Sequence, residues 1–189
     1  MGKRLRVLVA CEFSGIVRDA FSDRGHYALS CDLLPSETQG RHRLGNVRSL
    51  LVPGAWDLLI AHPPCTHLAI SGARYFAGKE AEQEHALRFV RALMAAPIPR
   101  ICIENPKGML STWIRKPDQI IHPWQFGHID KKGTCLWLKG LPLLSPTKVS
   151  WIKVSAPHQA GQTKDRWKDR SRTYKGIAQA MAEQWGGEI

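Results

Sequence analysis

The chain has 189 residues, which suits one domain with a hydrophobic core and excludes a large multi-domain enzyme. Apolar residues make up 43% of the chain and charged residues 23%, so the composition excludes an intrinsically disordered protein. The formal net charge of +11 favours a polyanionic partner, with nucleic acid preferred over a membrane surface.

The first residues contain a basic group followed by a short apolar run at residues 7–11. An export signal needs a longer hydrophobic region, and no apolar run reaches the roughly 18 residues of a membrane span. We therefore expect a cytoplasmic protein. An odd number of cysteines without a CxxC pair predicts reduced thiols and no disulfide framework. The cysteines are Cys11, Cys31, Cys65, Cys102 and Cys135.

Strand, turn and helix follow one another at the start of the chain. Residues 5–11 form the apolar run of a buried strand. A turn at 12–15 leads into residues 16–21, whose apolar positions have helical spacing. Gly25 ends this helix, and residues 27–31 predict a second strand.

The same alternation continues in the middle of the chain. Residues 56–61 predict a third strand, which ends at Pro63 because proline cannot continue a central strand. Residues 78–95 have the periodicity of an amphipathic helix. Two more strands are predicted at residues 101–103 and 134–138.

A short helix is expected near Thr112, and residues 174–185 predict a closing helix with one apolar face. Strands that alternate with helices indicate right-handed crossovers in a parallel sheet. The predicted fold class is therefore α/β, a single domain over residues 1–189 with a mainly parallel sheet flanked by helices.

Polar residues collect where the predicted strands end. They lie at residues 12–15, at Asp32, at residues 62–65 and at residues 104–106. Since ligands bind outside the carboxyl ends of parallel strands, we expect these groups to converge on one edge of the sheet. Loops are polar in any protein, so a coincidental arrangement stays open as the alternative.

The first two strand ends suggest a ligand. The turn before the first helix would present backbone amides, and Asp32 stands where a carboxylate binds ribose hydroxyls. Gly15 is the only glycine of this turn, so a dinucleotide motif is absent and a nucleoside without phosphates fits better. S-adenosylmethionine is such a ligand. The alternative for Asp32 is a simple turn or cap residue.

Cys65 is a candidate nucleophile. Residues 63–64 are prolines that stiffen its loop, and His62 and His67 could lower the pKa of its thiol. Two alternatives stay open: an inert core cysteine, or a metal site made of His62, Cys65 and His67, for which a fourth ligand is missing. Glu104 stands at the end of a predicted strand, where its carboxylate either has a functional role or caps a helix.

Five short motifs follow one another along the chain: EFSG at 12–15, CDL at 31–33, GNV at 45–47, PPC at 63–65 and ENPKG at 104–108. In this order they resemble the motifs of the cytosine-5 DNA methyltransferases. Two further segments are WQFG at 124–127 and KGTCLWL at 132–138. With these segments, the chain more narrowly resembles the compact methylase-like proteins encoded by bacteriophages and prophages.

The resemblance implies a Rossmann-like, S-adenosylmethionine-dependent methyltransferase. Cys65 would attack carbon 6 of a cytosine flipped out of DNA, and Glu104 would hold and protonate ring nitrogen 3. Carbon 5 would then take the methyl group. The implied cofactor-binding residues are Glu12, Phe13, Ser14, Gly15, Asp32, Leu33, Asn46 and Pro63.

The chain departs from the family pattern at several positions. Thr66 follows the cysteine where the family has glutamine, and Pro106 replaces a valine. Family enzymes place a pair of arginines on a later strand, facing the target base, and the nearest basic residues here are Lys131 and Lys132. Only a short stretch separates Leu138 from the closing helix, so we expect the target-recognition domain to be missing.

Residues 148–175 stand where that domain would be. They hold eight Lys or Arg against two Asp, interleaved with Trp151 and Trp167, which predicts a DNA-binding surface. A solvated loop is the alternative. Phosphate contacts carry no sequence information, so specificity would be low or come from a protein partner or a second copy. The predicted DNA-binding residues are Lys131, Lys132, Lys164, Arg166, Lys168, Arg170 and Arg172.

Two other functions stay open. One is an inactive, methylase-like DNA-binding protein. The other is a different base-modifying enzyme on the same fold, which would need no thiol and is therefore disfavoured by Cys65. The overall expectation is a DNA methyltransferase in the cytoplasm of a bacterial host, using S-adenosylmethionine and no metal.

Overall fold

The computed structural model describes residues 3–69, 78–152, 154 and 166–187. The strands are β1 (Arg6–Ala10), β2 (Tyr27–Asp32), β3 (His42–Leu44), β4 (Leu58–Ala61), β5 (Arg100–Pro106), β6 (Gln119–Ile121) and β7 (Thr134–Lys139). The α-helices are α1 (Ile16–Asp23), α2 (Glu80–Met94), α3 (Leu110–Trp113), α4 (Arg166–Ser171) and α5 (Lys175–Trp185). Within these described ranges, no helix is long and apolar enough to cross a membrane.

All seven strands form one sheet in the order β3-β2-β1-β4-β5-β7-β6. The first five of these are parallel to one another, whereas β7 runs antiparallel to both of its neighbours. The predicted fold class is confirmed: an α/β fold with one mainly parallel sheet and flanking helices.

The central strands are buried on both faces, and their side chains alternate between two apolar layers. Val7 and Val9 of β1 pack in the layer that contains α1 and α5, whereas Leu8 and Ala10 pack in the layer that contains α2. This explains why the sequence of β1 is a continuous apolar run, without the alternation of a half-exposed strand. Trp185 anchors α5 through its indole N–H, which donates to the carbonyl of Pro142 at 3.1 Å.

The predicted strands and the longer helices are present, with boundaries shifted by a few residues. The sequence pattern predicts no strand at residues 42–44 or 119–121, where the structure has β3 and β6. Both β3 and β6 are three-residue strands at the two edges of the sheet. Helix α4 was also not predicted.

A buried arginine holds the loop that follows β2. The Arg18 side chain is only 1% exposed. Its guanidinium donates to Ser30 Oγ at 3.2 Å, Ser36 Oγ at 3.0 Å, Thr38 Oγ1 at 2.6 Å and the Gln39 carbonyl at 3.1 Å. A buried charge is tolerated only when it is bonded in this way, so Arg18 ties the loop at residues 33–41 to α1.

We expect Arg18→Met to lower the free energy of unfolding by about 2–4 kcal/mol, because the buried Ser30 hydroxyl loses its donor and the loop at residues 33–41 loses three further hydrogen bonds to a charged group. Urea denaturation followed by circular dichroism measures this change. The control is Arg24→Met, which removes only an exposed ion pair to Glu183 at 3.6 Å and should cost less than about 1 kcal/mol. Equal losses in the two variants would contradict a structural role for Arg18.

Candidate active site

The polar strand ends converge on one edge of the sheet, as predicted. In the parallel register Ala10 of β1 lies beside Cys31 of β2 and Ala61 of β4, and Ala61 lies beside Ile103 of β5. The residues that follow these positions therefore leave the sheet side by side. Two cavities open along this edge.

The larger cavity has a volume of about 480 Å³, within the range of small-molecule sites. Three of the predicted cofactor-binding residues line it, namely Asp32, Leu33 and Asn46. Its apolar wall includes Val47 and Phe89. A half-buried carboxylate beside an apolar wall suits a nucleoside with a free ribose.

Asp32 and Asn46 are both held in place by backbone amides. Asp32 Oδ1 accepts from the Leu34 N–H at 2.9 Å, and Asn46 Oδ1 accepts from the Arg48 N–H at 3.0 Å. Burial raises the pKa of Asp32, and the amides of Leu33 and Leu34 oppose this rise without cancelling it. The two side chains are thus oriented at the cavity before any ligand arrives.

In the turn after β1, the side chains of Glu12 and Ser14 cap the N-terminus of α1. Glu12 is buried and accepts from the N–H groups of Val17 at 2.6 Å and Arg18 at 3.2 Å. Ser14 Oγ accepts from the Ile16 N–H at 3.3 Å. These bonds use the first amides of α1, which the sequence pattern predicted to face a ligand.

Gly15 is the N-cap residue of α1 with φ of 76°, and a Cβ there would come within 2.3 Å of Arg18 Nη2 and Thr38 Oγ1. Only glycine fits this crowded, left-handed position. Among the described residues, those that line the two cavities do not include any of residues 12–15. The cofactor role of these residues stays a prediction.

Phe13 contacts Trp167 of α4 and Arg172, which follows that helix. Its ring is 6.0 Å from the ring of Trp167, and the Arg172 guanidinium lies over it at 6.0 Å. Arg172 also donates to both carboxylate oxygens of Glu37, at 2.7 and 2.9 Å, and to Asp169. These contacts join α4 to the loops that follow β1 and β2.

The smaller cavity, about 120 Å³ in volume, holds both predicted catalytic residues, Cys65 and Glu104. Pro63, a predicted cofactor-binding residue, lines this cavity. Its neighbour Pro64 lines both cavities. His62 also borders the small cavity, whereas His67 borders the large one, so the three residues considered as metal ligands are divided between two cavities.

Glu104 lies on β5, and each of its carboxylate oxygens has a partner. Oε2 is 3.0 Å from Nδ1 of His62, and Oε1 accepts from the Thr134 hydroxyl. Burial alone would raise the pKa of Glu104, but the hydrogen bond and charge of His62, with Thr134 and Lys132, lower it overall.

His62 is almost completely buried, with 8% of its side chain exposed. Burial opposes protonation, yet the hydrogen bond and charge of Glu104, with the charge of Glu12, raise the pKa of His62. The sequence pattern indicates His62 only as a neighbour of Cys65. The pairing with Glu104, and the contact of Thr134 with it, join residues far apart in sequence and leave no local sequence signal.

The predicted DNA-binding residues take different positions. Lys131 and Lys132 are exposed, and Lys132 lines the small cavity. Arg172 lines it too, although its guanidinium is engaged by Glu37 and Asp169. Lys168 lies over the Trp167 ring at 5.7 Å. Arg166 and Arg170 belong to α4, and Lys164 lies outside the described residues.

No protein-family model and no curated protein matches the sequence. Among solved structures, the chain is similar to a prophage-encoded Escherichia coli protein assigned as a DNA modification methyltransferase, with 12% identity and a TM-score of 0.48. The match covers 79% of this chain and 52% of that one, so this chain spans about half the length of that protein.

The 16S rRNA methylase RmtB is also similar, with 17% identity and a TM-score of 0.34 over 72% of this chain and 56% of the other. Likenesses of this degree carry no information on activity, which has to be inferred from the geometry of this chain.

The ion pair of His62 and Glu104 should make stability depend on pH in a defined direction. The pKa of His62 is raised on folding, so its contribution is full below the ordinary value near 6.5 and is lost as pH rises through the folded value. The pKa of Glu104 is lowered, so its contribution is present above about 4.5 and is lost as pH falls.

Between pH 6.5 and 9, wild type should therefore lose more stability than His62→Gln, as measured by urea midpoints at each pH. His85→Gln, at an exposed histidine of α2, is the control and should follow wild type. Parallel curves for wild type and His62→Gln would show that the pair is not charged in the folded protein.

Proposed function

We propose that this protein transfers a methyl group from S-adenosylmethionine to carbon 5 of a cytosine in DNA, with Cys65 as the nucleophile. The proposal is carried by the presence of Cys65 and Glu104 in one small cavity that shares the wall residue Pro64 with a cavity of cofactor size. A methyl donor in the larger cavity would thus be next to a base in the smaller one.

The larger cavity suits the cofactor chemically. The Asp32 carboxylate would bind the ribose hydroxyls, while Leu33 and Val47 offer an apolar surface to a purine. The first amides of α1 are already bonded to Glu12 and Ser14, which fits a ligand without phosphates. When bound, S-adenosylmethionine supplies an electrophilic methyl group.

In the smaller cavity, Cys65 and Glu104 would act on opposite sides of one ring. The Cys65 thiolate forms a bond to carbon 6, and Glu104 supports the charge that develops at ring nitrogen 3. Carbon 5 thereby becomes nucleophilic. A cavity of about 120 Å³ suits a single base and not a base pair, so the target has to leave the helical stack.

The basic rim of the small cavity supports DNA as the substrate. Lys131 and Lys132 are exposed beside it, and the indole of Trp167, 52% exposed, belongs to α4. Lysines bind phosphates and an exposed indole can stack on a base. Since such contacts do not read sequence, specificity is low or is supplied by a protein partner or a second copy.

Replacing the nucleophile should abolish methyl transfer. With tritiated S-adenosylmethionine and DNA of varied sequence and strandedness, we expect Cys65→Ser to reduce transfer by at least about 1,000-fold. DNA that contains 5-fluorocytosine should form a covalent adduct with wild type and not with Cys65→Ser, as seen by mass spectrometry.

The control for this experiment is Cys135→Ala, at a thiol buried in β7 outside both cavities, which should retain the adduct. Methyl transfer by Cys65→Ser at the rate of wild type would refute covalent catalysis. Absence of both transfer and cofactor binding in wild type would favour the inactive, DNA-binding alternative.

The double variant Lys131→Glu/Lys132→Glu should weaken DNA binding by at least about tenfold at low salt. It should also reduce the slope of log K against log salt by about 0.9 for each duplex phosphate that the protein no longer neutralises. Fluorescence anisotropy at several salt concentrations measures both quantities.

The matched control is Lys116→Glu, at an exposed lysine just before β6. The other end of β6, at Ile121, pairs with Thr134, which lines the small cavity, so Lys116 lies at the end of the strand away from that cavity. It should bind DNA with a nearly unchanged salt slope. Equal slopes in all three proteins would place the DNA contacts elsewhere.

A further inference from the structure

We infer that His62 is a positioning residue that holds the proton which Glu104 delivers to ring nitrogen 3 of the target base. This inference rests on the proposed function. Its basis is the buried contact of 3.0 Å between His62 Nδ1 and Glu104 Oε2, at the wall of the cavity that contains Cys65. His62 precedes the loop of Cys65, so the donor of the proton and the nucleophile belong to one short segment.

Glu104 needs such a source because an ionised carboxylate has no proton to give. As the Cys65 thiolate forms its bond to carbon 6, the electron pair of the 5,6 double bond moves between carbons 4 and 5. The π pair of the double bond between carbon 4 and nitrogen 3 moves to nitrogen 3 and forms the new N–H bond there. The Nδ1–H bond of His62 breaks, the proton passes through Glu104, and an N–H bond forms at nitrogen 3.

When the methylated product leaves, the proton on carbon 5 passes to water and the electron pair of that C–H bond forms the 5,6 double bond. The bond between carbon 6 and sulfur breaks, and sulfur keeps its electron pair. The proton on nitrogen 3 returns through Glu104 to His62. The chain therefore lends one proton for each turnover and recovers it, with no net change in its charge.

The surroundings of His62 keep this proton in the buried pair until the target base accepts it. Glu104 and Glu12 favour the imidazolium, whereas burial favours the neutral ring, and Lys132 acts on the same carboxylate from the rim. Within the described part of the chain, His62 Nε2 is buried and has no hydrogen-bond partner. The imidazolium is thus held chiefly by Glu104, and its stabilisation disappears once that carboxylate takes the proton.

Thr134 keeps the carboxylate in the correct orientation for this exchange. Its hydroxyl donates to Oε1 of Glu104 and leaves Oε2 directed at His62. Thr134 is itself buried on β7, beside Pro106 of β5. The orientation of the Glu104 carboxylate is therefore set by two paired strands of the sheet.

The test separates this role from a purely structural ion pair. DNA labelled with tritium at carbon 5 of cytosine releases tritium to water when Cys65 adds to carbon 6 and leaves again, without any methyl donor. We expect His62→Gln to slow this release by at least about 100-fold, the usual size of general acid catalysis. It should also remove the decline of the rate at alkaline pH, while DNA affinity stays within about twofold of wild type.

Two controls accompany the exchange experiment. His26→Gln, at the residue just before β2 and outside both cavities, should release tritium as wild type does. Cys65→Ser should release none. Release by His62→Gln within about twofold of wild type, with an unchanged pH profile, would overturn the role of His62.

A second measurement needs no turnover, and its main readout uses wild type alone. Nitrogen NMR of wild type follows the His62 ring nitrogens against pH, and we expect His62 to lose its proton above pH 6.5 and to do so at lower pH in Glu104→Gln. A His62 that is already neutral at pH 6 would overturn the inference. If wild type releases no tritium while His62 titrates as expected, the proposed function has failed and the pair is only structural.

Discussion

The arrangement of the candidate site depends on one buried hydrogen bond between two neighbouring strands. Asn105 of β5 donates from Nδ2 to the carbonyl of Pro63 at 2.7 Å. Strand pairing between β4 and β5 ends at Ala61 and Ile103, and the two prolines that follow offer no N–H to extend it. The Asn105 side chain replaces the missing ladder bond, and it thereby sets the distance between the loop of Cys65 and the adjacent Glu104.

The other end of this loop is fixed by close backbone contact. The Met109 N–H donates to the Leu68 carbonyl at 2.8 Å, and Gly108 pairs with Ala69 in an isolated bridge. A Cβ at Gly108 would lie 2.0 Å from the Leu68 carbonyl oxygen, so glycine is required there. With both ends of the loop attached to the segment that carries Glu104, the positions of Cys65 and Glu104 are set by the same short stretch of backbone, as the proposed mechanism requires.

Much of this architecture could be predicted from the sequence, because the apolar runs of β1 and β4 and the periodicity of α2 and α5 are strong local signals. The edge strands β3 and β6 could not, since three-residue strands owe their existence to pairing with β2 and β7. At the site, convergence of the strand ends follows from parallel topology alone. The capping role of Glu12 and the pairing of His62 with Glu104 depend on side-chain directions that only the folded chain defines.

The shared wall between the two cavities has a thermodynamic consequence. Pro64 contributes to both surfaces, so a ligand that displaces this ring on one side changes the free energy of binding on the other. Such coupling is reciprocal. If a ligand in the large cavity changes the affinity of the small cavity for its ligand by some factor, the ligand in the small cavity changes the affinity of the large cavity by the same factor. Because proline has few internal degrees of freedom to absorb a displacement, we expect occupancy of the two cavities to be coupled through this one ring.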